Sequence, residues 1–196
     1  MKLQNAFTLV LIIFMFILPF SYAHANKSQE YKYQDWIVDS EGPSVRFYTK
    51  ADNQPARFGW VKPFGYCAHS YLLMDTASYM VQKDYIDQFE GKVIPLEVFF
   101  PKIHAQKEII LKAEIVNSFA VNPAWTITRI GLAQAGKRMN YYMEELDKVV
   151  IQMPEDPNHL FEYKLGEFSL KGYKAAKTKA AEICHNNSIS LIVLNH

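Results

Sequence analysis

Apolar and polar residues alternate along most of this chain, a period of two that predicts strands. Trp36 and Val38 share one face of a first strand at 34–39. Ser40-Glu41-Gly42-Pro43 then reads as a turn. Val45, Phe47 and Thr49 alternate with Arg46, Tyr48 and Lys50, the signature of a half-buried strand. A second turn follows at Asp52-Asn53-Gln54-Pro55. Residues 57–74 hold one or two strands. Phe58 and Trp60 face one way, Pro63 and Gly65 break the run, and 66–74 resumes it with Cys67, His69, Tyr71 and Leu73 on one face. Residues 75–90 fit a short helix or a strand equally, and Gly91 ends them. In 93–100, Ile94, Leu96, Val98 and Phe100 share a face, while Pro95, which cannot donate to a ladder, marks an edge or a bulge. Residues 108–116 make its partner, and 125–130 a further short strand after the Asn122-Pro123 turn.

The period changes near residue 137. Met139, Tyr142, Met143 and Leu146 fall at i, i+3, i+4 and i+7, which predicts a helix over 137–148. Segments 149–153 and 159–165 flank a polar turn rich in proline and read as a hairpin. The stretch 168–184 reads as the end of a strand, a glycine break at Gly172 and a closing helix. Tyr173, Ala176, Ala180 and Ile183-Cys184 form a narrow apolar stripe on it, with alanines small enough to let it lie close to a sheet. The tail 188–194 reads either as a final edge strand or as an exposed apolar end. The expected fold is mainly β: an antiparallel β-sandwich with one short internal helix and a C-terminal helix.

Composition narrows the address. Lys2, the apolar run 7–20 and Ala23-His24-Ala25 have the layout of a secretory signal peptide cut after Ala25, leaving one domain at 26–196. The alternative, an uncleaved anchor, needs about 20 apolar residues, more than the run supplies. Lys2 is the one charged residue of that leader. Its removal brings the 21 basic residues level with the 20 acidic ones, for a formal charge of zero. A neutral domain is not built to hold nucleic acid by counterion release. No second run is long enough to cross a bilayer. The expectation is a periplasmic or secreted protein, with no transmembrane segment in the mature chain and an envelope component or partner protein to bind. The two cysteines, Cys67 and Cys184, fit an oxidising compartment and are expected to form a disulfide tying the last helix to the middle of the chain.

Two segments resemble a known family. Tyr33-Gln34-Asp35-Trp36-Ile37-Val38, soon after the leader, is similar to the opening of the invasion-associated locus B family of exported bacterial proteins. So is the ending, a short helix, a hairpin and then Phe168-Ser169-Leu170-Lys171-Gly172-Tyr173 before an alanine-rich helix. The resemblance covers about a third of the chain. It implies a small β-sandwich in the periplasm or exposed on the envelope, without a known catalytic site. The family has a cysteine just after the tryptophan strand where this chain has Asp39 and Ser40, and 77–122 shows no match.

Candidate chemistry is sparse. Cys67 with His69 and Cys184 with His185 could supply a tetrahedral metal set, but His185 lies about 100° around a helix from Cys184, and a disulfide removes both thiolates. A cysteine nucleophile would need a free thiol of lowered pKa. No G-x-S-x-G elbow, H-E-x-x-H, phosphate loop or dinucleotide fingerprint occurs. His69, His104 and His159 could each act as a base in a hydrolase assembled from scattered residues. Glu144-Glu145 and Glu155-Asp156 read as a solvated helix face and a turn. Aromatic residues reach 14%, so Trp36, Trp60 and Trp125 either fill a core or form a ligand platform. The candidate contact surface is Trp60 and Trp125 with the basic face Lys171, Lys174 and Lys177, continued by Lys179. The sequence therefore points to a non-enzymatic exported binding protein without a cofactor. An envelope hydrolase and a metal handler using Cys67 and Cys184 are the alternatives.

Overall fold

The computed structural model describes residues 29–103, 109–155 and 160–193; the expected leader lies outside them, as do His104 and His159. The alternating segments form ten strands. They are β1 (Tyr31–Tyr33), β2 (Trp36–Glu41), β3 (Ser44–Lys50), β4 (Ala56–Pro63), β5 (Tyr71–Tyr79), β6 (Val93–Phe99), β7 (Ile109–Asn122), β8 (Trp125–Gln134), β9 (Lys148–Gln152) and β10 (Leu165–Ser169). Helices α1 (Lys83–Asp87), α2 (Lys137–Glu145) and α3 (Tyr173–Val193) complete the described elements.

The strands make one antiparallel sheet, not the two packed layers that a sandwich requires. Its order is β1-β2-β3-β4-β5-β8-β7-β6-β9-β10, and it curls into a half-barrel. The curl brings the last strand back to the first ones. Ala51, just past β3, bridges Phe168 in β10, and Asp52 N donates to Glu167 O at 3.1 Å. A curled sheet buries its inner face against itself and against the helices packed on it, so no second sheet is needed.

The inner face holds the core. Around β2, β3, β4 and β10 it is aromatic: Trp36, Phe47, Phe58, Trp60 and Phe168 are fully buried. Tyr173 of α3 packs edge-on to Trp36 with ring centroids 4.9 Å apart. Trp36 Nε1 donates to Ser169 O at 2.9 Å, so the ring at the start of β2 is bonded to the last strand. Across β6, β7 and β9 the same face is aliphatic, and Met139 and Met143 of α2 pack into it. Between these halves runs a row of buried hydroxyls. Thr76, Thr128 and Ser118 stand opposite one another on β5, β8 and β7.

The closing helix follows its stripe. Tyr173, Ala176, Ala180 and Cys184 are buried, and α3 lies on β1 to β4. Gly172 permits the turn from β10 into α3. Its φ is +93°, and a Cβ there would meet Tyr33 O at 2.0 Å. Cys184 is joined to Cys67 with Cα atoms 5.7 Å apart and 117 positions between them. The expected disulfide is therefore present. Its two sulfurs are bonded to each other, which leaves no thiolate for a metal or a nucleophile.

Several local expectations are corrected. Residues 64–70, with Cys67 and His69, form the loop between β4 and β5, because Pro63 and Gly65 end the strand. Residues 75–79 extend β5, and only 83–87 is helical, so there are two short internal helices where one was expected. β9 pairs with β6 on one side and, on the other, with β10 at 165–169, which is reached by a longer connection than a hairpin turn. The tail continues α3 as far as Val193, so the edge strand does not form.

Candidate binding face of the sheet

Every second residue of the central strands points away from the core, and register alone decides which of these meet. On β2 and β3, Asp39 lies opposite Arg46. Arg57 on β4 lies opposite Lys50 of β3 and Asp75 of β5, and Asp75 lies opposite Arg129 of β8. Opposed charges on neighbouring strands attract, and here they form a ladder. Arg46 donates to both oxygens of Asp39, at 2.8 and 2.9 Å, and Tyr48 OH donates to Asp39 Oδ2 at 3.4 Å. Burial first, and then the Asp39 carboxylate, push the Tyr48 phenol above its ordinary range.

Asp75 is the centre of the second group. Its side chain is 4% exposed and carries two guanidinium groups. Arg57 Nη2 donates at 2.8 Å, while Arg129 donates through Nε at 2.9 Å and Nη2 at 3.2 Å. The Asp75 hydrogen bonds raise the Arg129 pKa further. Each guanidinium also lies over an aromatic ring, Arg57 over Tyr48 and Arg129 over Phe119, both 5.4 Å from the ring centroid. Asp75 therefore fixes the position of two cations while neutralising one.

An open depression of about 390 Å³ adjoins this group, lined by Lys50, Gln54, Pro55, Arg57, Asp75 and Ile127. Lys50 is exposed and has no ion-pair partner among the described residues. Beyond Ile127 the same face becomes aromatic. Tyr79 and Trp125 are cross-strand partners with ring centroids 5.2 Å apart. Tyr79 is 52% exposed and Trp125 half-buried. The turn before Trp125 is held by its own sequence, since Asn122 Oδ1 accepts from the N–H groups of Ala124 at 2.9 Å and Trp125 at 3.0 Å.

The residues expected to form a contact surface separate. Trp60 is fully buried in the core and cannot contact a ligand. Trp125 stays on the face. Lys171 and Lys174 are exposed on the α3 side of the molecule, while Lys177 is paired with Glu144 Oε1 at 2.7 Å. Lys179 bonds Glu182 at 2.7 Å and lies over the Tyr31 ring. The helix packs on β1 to β4, so its lysines and Trp125 do not form one patch. His69 and His185 are exposed, and no group of three or more metal-binding side chains occurs among the described residues.

Sequence reading missed Lys50, Arg57, Asp75, Arg129 and Tyr79. The one local signal was the charged residue in each alternating strand, which a solvated face shows equally well. Comparison with protein-family models, with curated proteins and with solved structures finds no match to this chain.

Proposed function

We propose that the chain is an exported, non-enzymatic binding protein that holds a component of the cell envelope against the face described above. One observation carries this reading. The strand register assembles paired cations, an open depression and the aromatic pair of exposed Tyr79 and half-buried Trp125 on one face. Such a face offers contact area and polar anchors without an enclosed cavity. Export is supported by the leader and by the disulfide, which belongs to oxidising compartments. On this reading the chain is similar to the invasion-associated locus B proteins, through the tryptophan strand and the closing helix.

The test is retention of the purified, oxidised mature chain on washed cell envelopes, compared with a Tyr79→Ser, Trp125→Ser double variant. Retention should fall at least about tenfold, the effect of losing a central aromatic anchor. Equal retention of parent and variant would overturn the assignment of this face.

A further inference from the structure

We infer that this face takes an acidic polysaccharide, with ring carboxylates at Lys50, Arg57 and Arg129 and sugar rings against Tyr79 and Trp125. The inference rests on the binding reading above and names its ligand class.

Charge gives the sign of the ligand. Arg57 and Arg129 share one carboxylate, Asp75, whose two oxygens already accept three hydrogen bonds, and Lys50 lines the depression beside Arg57. Arg57 gives one N–H to Asp75 at 2.8 Å, and its remaining donors have no hydrogen-bond partner among the described residues. The Lys50 ammonium has none at all among them. Fixed donors with net positive charge beside a depression suit carboxylates, and they repel a cationic ligand.

The neighbouring surface gives the class of anion. An acidic peptide in extended form gains affinity by adding to a sheet edge through its backbone. Here β4, β5 and β8 each have a strand on both sides, so their backbone groups are already paired. A lipid surface needs cations that project from the protein, whereas the Arg57 and Arg129 side chains are only 33% and 26% exposed. A polymer of sugar rings bearing carboxylates meets both features. Its rings have apolar C–H faces for Tyr79 and Trp125, and its acid groups can enter the open depression.

Tryptophan emission provides the readout, because Trp36 and Trp60 are buried and Trp125 is on the face. The oxidised mature chain is titrated with polygalacturonate, and in parallel with neutral dextran, polyglutamate and phosphatidylglycerol vesicles. Saturable binding to polygalacturonate is expected, weakening as salt is raised. Lys50→Glu should lower the affinity about tenfold or more while leaving the circular dichroism unchanged. Lys50→Gln should show a smaller loss. Absence of saturable binding, an unchanged affinity in Lys50→Glu, or equal binding of polyglutamate or vesicles would overturn the inference. If polygalacturonate fails while the Tyr79, Trp125 double variant still loses envelope retention, the ligand class is wrong and the face stands. If that double variant is retained like the parent, the face itself is wrong.

Discussion

Two residues show how single positions constrain this chain. Gly172 sits where β10 gives way to α3, at a φ of +93° and against the Tyr33 carbonyl. Gly172→Ala should destabilise by about 2 kcal/mol or more, from the left-handed backbone and the contact together. A urea midpoint within error of the parent would show that the Tyr33 strand yields. Lys62 is a buried lysine whose Nζ donates to Cys67 O at 2.9 Å. Burial first, and then the charge of Lys177, hold its pKa below the ordinary 10.5. The unfolded chain binds that proton more tightly, so the ammonium opposes folding at every pH below its folded pKa. The penalty disappears as pH rises toward the ordinary value. Lys62→Met should therefore raise the urea midpoint near pH 7, with a gain that fades toward pH 10. An equal gain at both pH values would point to packing alone.

Among the elements, α3 was the most legible. Its stripe of Tyr173, Ala176, Ala180 and Ile183-Cys184 is read directly from spacing, and all of it is buried except Ile183, which is half-buried. The alanines matter for their size. Ala180 is fully buried where the helix lies on the sheet, so Ala180→Leu should cost about 1–3 kcal/mol by overpacking. Thermal unfolding would measure this, and an unchanged midpoint would mean that the helix does not press on the strands. Other elements were harder to read. The tail after Ser188 is rich in β-branched residues and looks like a strand, yet its backbone continues α3. A helix already nucleated and docked extends at little cost, which outweighs local preference. Pro63 and Gly65 signalled a break in the run, but not that the strand would resume only at Tyr71, which leaves Cys67 and His69 in a loop.

For the whole molecule, closure is the governing event. The sheet returns on itself through Ala51 and Phe168, and the disulfide joins a loop to the last helix across 117 positions. On chain-entropy grounds, replacing both cysteines by serine should lower stability by about 4–5 kcal/mol. Denaturant unfolding tests this, and a loss below about 1 kcal/mol would refute it. Alkylation of the purified protein without reductant should add no mass to it, and two adducts would show that the bond does not form.

The sequence by itself determined the type of most elements, the buried face of β2, β3 and β6, the closing helix and the one partner each cysteine could take, but it set the inward face of β5 on Tyr71 and Leu73 where the core takes Leu72 and Met74. These depend on periods of two and 3.6 residues, or on there being one partner to choose, and both are local or combinatorial facts. Only the tertiary structure decided that ten strands make one curled sheet, that Trp60 is core, and that Lys50, Arg57, Asp75 and Arg129 share a face. Strand order and register arise when distant edges find each other, and no residue's neighbours in the chain encode which edge that will be.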